Sequence, residues 1–192
     1  MWAAIAALIV LMGVVWVSGQ IGVKVSDLPF AAKFGGPFTL TNHDGKRFSS
    51  EQLKGKPFAI FFGFTFCPEV CPTSLLELTK DIEVLGADAD KMNYLFVSVD
   101  PERDKPEHLK TYIANFDKRI IGLTGTPKEI AELARAYRVY YEKVKTKDGY
   151  TINHTATMYL MGRQAQLVST IAYGEKITTR RRKLRSLIEG NR

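Results

Sequence analysis

Residues that hold metals or cross-link chains are scarce in this sequence: 192 residues include two cysteines and three histidines. Two cysteines cannot frame a disulfide-scaffolded fold. Two sulfurs alone also leave a metal site incomplete. Internal repeats and low-complexity tracts are missing. With 45% apolar and 11% aromatic residues, the chain is not disordered by composition. Its length suits one domain large enough to bury its own core. The net charge is +7, but much of the excess lies in Arg180-Arg181-Arg182-Lys183-Leu184-Arg185. No stacking aromatics interleave with that run, which argues against nucleic acid as a partner. It reads as the solvated face of a last helix whose Ile177, Leu184, Leu187 and Ile188 face the core.

No Lys or Arg precedes the apolar run Trp2 to Val17, so nearby charge does not orient it in a bilayer. The run falls slightly short of the ~20 residues that span a membrane, but Ile21-Gly22-Val23 extend it. Trp2 and Trp16 suit the two interfacial belts. Residues 1–23 therefore read as an N-terminal transmembrane anchor, or a signal segment with Val17-Ser18-Gly19 as its cleavage site. Residues 24–36 read as a linker and 37–192 as the folded domain. Anchored or exported, the domain works outside the cytoplasm, where thiols stay reduced only for a reason.

Along the domain, Phe38 to Thr41 and the Asp44-Gly45 turn predict an N-terminal β-hairpin. Phe58 to Phe62 is a continuous apolar run, as in a central buried strand. A helix follows with Leu75, Leu78, Ile82 and Leu85 on one face, and Ser74 and Glu77 at capping-box spacing. Tyr94–Val99 predicts a second buried strand, 106–116 a helix, 120–123 a strand and 127–137 a helix begun by proline. A hairpin about Lys147-Asp148-Gly149 comes next, then a strand pair about Gly162-Arg163-Gln164 and a last helix from Lys176 to Ile188. Parallel βα units closed by an antiparallel pair and a helix describe an α/β, thioredoxin-like fold with a central mixed sheet.

Both cysteines stand in Phe64-Thr65-Phe66-Cys67-Pro68-Glu69-Val70-Cys71-Pro72, where the central strand opens into a helix. A spacing of four puts two helical side chains on one face. A helix N-terminus lowers thiol pKa values. Pro, Glu and Thr around the pair argue against two inert core thiols. His43 sits in a polar turn and His108 in a charged helix, so both read as solvated. His154 enters the strand that faces the cysteine turn in such a fold. Two thiolates and an imidazole make a soft set suited to Cu(I), and zinc would want a fourth ligand.

Gly63 to Pro72, the run Val97-Ser98-Val99-Asp100-Pro101-Glu102-Arg103-Asp104, and His154-Thr155 before Tyr159-Leu160 together resemble the Sco/SenC family of cytochrome c oxidase assembly factors. The resemblance implies a domain anchored in the bacterial inner membrane facing the periplasm, or in the mitochondrial inner membrane facing the intermembrane space. It implies copper, as Cu(I) and Cu(II), held by Cys67, Cys71 and His154, with Asp100 and Asn153 beside the ligands. It implies a chaperone rather than an enzyme, one that assists the CuA centre of cytochrome c oxidase subunit II. Its further partners would be an upstream copper donor, a thiol reductant and the lipid bilayer. Asn153 departs from the Asp usual before the ligand histidine, and Met161-Gly162 from the usual Asp-Pro.

Two rivals share the fold. A thiol–disulfide oxidoreductase would cycle a Cys67–Cys71 disulfide and keep CuA cysteines reduced; however, the motif is CxxxC rather than CxxC, and no proline lies in His154-Thr155-Ala156-Thr157. A thiol peroxidase would want a threonine where Pro68 stands and a third, resolving cysteine. The tyrosines and lysines of 140–152 and the basic last helix offer docking surface to an acidic partner.

Overall fold

The computed structural model describes residues 34–147 and 149–190. The apolar run read as a membrane segment lies outside them. Among the described residues no helix is long and apolar enough to cross a membrane.

Among the described residues, seven strands form one mixed sheet. In chain order they are β1 (Thr39–Asn42), β2 (Arg47–Ser49), β3 (Phe58–Gly63), β4 (Asn93–Ser98), β5 (Ile120–Thr124), β8 (Thr157–Met161) and β9 (Leu167–Ala172). Across the sheet the order is β2-β1-β5-β4-β3-β8-β9. Strands β3, β4 and β5 run parallel, and β8 pairs antiparallel to β3, Ile60 opposite Tyr159. A separate two-stranded ribbon, β6 (Tyr141–Thr146) with β7 (Gly149–His154), stands outside the sheet. Among the described residues the α-helices are α1 (Val70–Leu85), α2 (Pro106–Ile113), α3 (Pro127–Ala136) and α4 (Ile177–Glu189).

Strand β3 is central because its sequence allows nothing else: all six residues, Phe-Ala-Ile-Phe-Phe-Gly, are buried. The pleat sends neighbours to opposite faces. Phe61 meets Phe96, whereas Phe62 meets Tyr137 and Tyr159. Phe34 packs its ring against Tyr137 and Tyr159, and the Gly35 amide donates to the Ala136 carbonyl. The end of the segment read as linker therefore packs with the domain.

The apolar face of α1 falls where its periodicity predicts, with Leu75, Leu78, Ile82 and Leu85 buried. Its start does not. The helix begins at Val70 with Glu69 as N-cap and no capping side chain. Ser74 therefore lies inside the helix, and its spacing to Glu77 makes no capping box. Pro72 occupies the first turn, where a missing N–H costs nothing. The capping box of this domain is at α3, where Thr126 and Glu129 exchange bonds with each other's backbone N–H.

Two readings of the last helix need correction. Leu184, Leu187 and Ile188 are buried, but Ile177 is exposed because it opens the first turn beyond the reach of the core. The basic run is not all solvated. Arg180 is buried, with Nε 2.8 Å from Asp81 Oδ2 and Nη1 3.1 Å from Glu77 Oε2. Arg181 Nε donates to the other Asp81 oxygen at 2.9 Å. A buried carboxylate in α1 thus turns two arginines inward and fastens α4 to α1.

Candidate metal centre

The loop after β3 brings Cys67 to the mouth of α1, and Cys71 lies in the first turn of that helix. The Cys71 backbone N–H donates to Cys67 Sγ at 3.4 Å. Cys71 is fully buried and Cys67 partly exposed, and both thiols are free. His154 ends β7 and reaches back across 83 positions to place Nε2 3.3 Å from Cys71 Sγ. Among the described residues, Cys67, Cys71 and His154 form a cluster whose ligand atoms all lie within 4.8 Å of one another.

Local bonds set the chemical state of each group. His154 Nδ1 is 3.1 Å from the Thr155 carbonyl oxygen, which can only accept. Nδ1 therefore carries the ring proton, and the Nε2 lone pair faces the thiols. Phe64 and Phe61 meet the imidazole edge-on, at 5.7 and 6.2 Å, and fix its plane. Cys67 is held far below the ordinary thiol value, first by the hydrogen bond from Cys71 and then by the backbone at Cys71 and Glu69. Cys71 moves the opposite way, because it donates to Cys67 and is buried. One proton is shared between two sulfurs. The pair thus tends toward a thiolate on partly exposed Cys67 and a thiol on buried Cys71.

A fully buried carboxylate, Asp104, braces the loop. It accepts from the Thr65 N–H at 3.0 Å, the Thr65 hydroxyl at 2.6 Å and the Ser98 hydroxyl at 2.5 Å. The sequence carries Asp104 at the end of Val97–Asp104, but nothing there says that its partner is Thr65.

Asp100 does not touch the cluster. It is buried, accepts from Arg103 Nε at 2.5 Å and from the Tyr150 hydroxyl at 2.8 Å, and so reaches the site only through other residues. Asn153 is exposed, and strand alternation turns it to the face opposite His154. The remaining histidines are less idle than their sequence context suggests. His43 is part-buried, and its Nδ1 accepts from the Gly122 N–H at 3.0 Å. His108 is exposed, yet it stacks on Phe66 at 5.1 Å and lies 2.9 Å from Thr65 Oγ1. Neither joins the metal cluster.

A mixed sheet whose central strand opens into a helix carrying two cysteines defines a thioredoxin-like domain. A histidine set against those cysteines gives it a metal-ligand set. The chain belongs to the SCO1/SenC family, whose model matches residues 26–189. It is 41% identical over 151 residues to the mitochondrial SCO1 homolog 1 of Arabidopsis thaliana, covering 78% of this chain and 45% of that one. It is 42% identical over 134 residues to the mitochondrial SCO1 homolog of Homo sapiens, covering 67% and 44%. The chain spans about half the length of these curated relatives. Among solved structures, Bradyrhizobium japonicum ScoI with copper bound matches at a TM-score of 0.75 and 48% identity, over 80% of this chain and 99% of its own.

Proposed function

We propose that this chain is a membrane-tethered copper chaperone, with copper as cargo on Cys67, Cys71 and His154. The observation that carries the reading is the convergence of two sulfurs and one imidazole nitrogen within 4.8 Å. Thiolate and imidazole ligands suit Cu(I) at low coordination number, and imidazole also suits Cu(II). The copper-bound relative supports the choice of metal.

Delivery proceeds by ligand exchange. An acceptor's cysteine attacks copper on the exposed Cys67 side while buried Cys71 is the last to let go. The acceptor is the CuA centre of cytochrome c oxidase subunit II. An upstream copper protein loads the site, and a thiol reductant keeps both sulfurs available, since a disulfide cannot ligate as two thiolates. Residues 1–23 hold the domain at the membrane, on the periplasmic or intermembrane-space side. The role is carriage rather than turnover.

The sulfur asymmetry favours a second reading, a thiol–disulfide reductase for the CuA cysteines. Cys67 thiolate would attack a partner disulfide and form a mixed disulfide. Cys71 would then lose its proton and displace the partner, which leaves as a dithiol while Cys67–Cys71 oxidises.

Anaerobic titration of the reduced full chain with Cu(I) against a chelator tests the first reading. One copper bound through two sulfurs and one nitrogen, by X-ray absorption, is expected. Failure to compete for copper, with a readily cycled disulfide, would leave the reductase.

A further inference from the structure

His154 is carried by the β6–β7 ribbon, which pairs with no strand of the main sheet. Something else must hold the ribbon down. The geometry assigns this to Tyr150: clasped by Asp100 and Arg103, it is the positioning residue that sets His154 against Cys71.

Tyr150 and His154 are four residues apart on β7, so strand alternation puts them on one face with buried Ile152 between them. The Tyr150 hydroxyl donates to Asp100 Oδ1 at 2.8 Å. The Arg103 Cζ lies over the Tyr150 ring, 3.8 Å from its centroid, and its Nη1 donates to the Tyr150 carbonyl at 3.0 Å. The same guanidinium donates through Nε to Asp100 and sits 4.6 Å from the Phe66 ring, beside Cys67. Lys143, on β6, adds an ion pair to Glu102 at 2.6 Å and lies 4.7 Å over the Tyr150 ring.

Lys143 apart, which is on the ribbon itself, these partners belong to the loop Asp100–Arg103 or to the cysteine loop. One residue of the ribbon is thus bound by ring face, hydroxyl and carbonyl to the body that carries the sulfurs. Burial and the bond to Asp100 push the Tyr150 phenol up to about 12, so it stays a donor at neutral pH. Releasing the clasp frees the ribbon and lets His154 leave while both cysteines stay in place. This would convert a three-ligand site into a two-sulfur site open to an incoming thiolate.

The functional meaning rests on the metal reading above, but the clasp is testable without metal. In the reduced, metal-free full chain, ring 15N spectra should report His154 as the Nδ1–H tautomer. Tyr150→Ala should mix the tautomers and speed His154 modification by diethyl pyrocarbonate about tenfold, the equilibrium cost of one hydrogen bond to a charged group. Tyr150→Phe, which keeps the ring under Arg103, should fall between. Unchanged tautomer and rate in both variants would overturn the inference.

With Cu(I) added, Tyr150→Ala should weaken binding about tenfold in the parent but add nothing to His154→Ala, since the two act through one ligand. Equal losses in both backgrounds would mean a general structural role and also overturn it. If the parent chain binds no copper, the metal reading fails, and the tautomer and modification rates alone decide the clasp.

Discussion

A Cβ placed on Gly63 would lie 2.6 Å from Cys71 Sγ and 2.8 Å from the Phe96 ring. Glycine ends β3 because the buried sulfur needs the room. Gly63→Ala should cost about 1–3 kcal/mol of stability by overpacking. It should also weaken Cu(I) binding, because the sulfur must shift. Urea unfolding and chelator competition would check this. If both match the parent, the sulfur has more room than the structure gives it.

Cys67 should react as a thiolate well below neutral pH. Its pKa is lowered from 9.0 to about 4, chiefly by the hydrogen bond from Cys71. Iodoacetamide at pH 6 should label Cys67 rapidly in the folded, metal-free chain, spare Cys71, and lose that preference in urea. The sign follows: a pKa lower when folded than unfolded makes ionisation of Cys67 stabilising. That contribution is complete above about 9 and fades as pH falls toward 4. Cys67→Ser should therefore flatten the pH dependence of stability across that window, read from melting temperatures.

Asp81→Ala should be among the most damaging surface-distant substitutions. Asp81 is 1% exposed and holds both Arg180 and Arg181. Removing it leaves Arg180 buried without its nearest carboxylate, at a cost of about 3–5 kcal/mol. Replacing Asp81 and Arg180 together by leucine and methionine should recover most of the loss. Denaturant midpoints for the single and double variants test the pairing.

Asp104→Ala should strand the Ser98 hydroxyl and the Thr65 amide, costing about 1–3 kcal/mol for the donors left unpaired. Asp104→Asn, which still accepts, should cost less. The order of the two melting temperatures is the check, and a reversed order would deny Asp104 its bracing role.

Much of this was readable because it is local. An unbroken apolar run such as Phe58 to Phe62, aromatic-rich and bounded by Pro57 and Gly63, reads as a strand buried on both faces. The period of Leu75, Leu78, Ile82 and Leu85 fixes the inner face of α1. That the two cysteines and His154 come together was legible from residue type, from the strand-to-helix context and from three motifs in family order. Readings that failed concern where a helix begins and which partner a side chain takes. The Ser74–Glu77 spacing resembles a cap, but Pro72 and the loop before it start the helix a turn earlier. Arg180 looks solvated in a basic run until Asp81, 99 positions away, is set beside it.

The sequence by itself determined which segments are strands and helices, which faces they bury, and that two soft sulfurs open a helix after a central strand. These follow from periodicity, backbone sterics and residue chemistry, all local. Only the tertiary structure decided that His154 presents Nε2 to Cys71 and that Tyr150 ties the ribbon down. Each depends on a hydrogen bond or ring contact between segments far apart in the chain, and only packing brings those atoms within 3 to 4 Å.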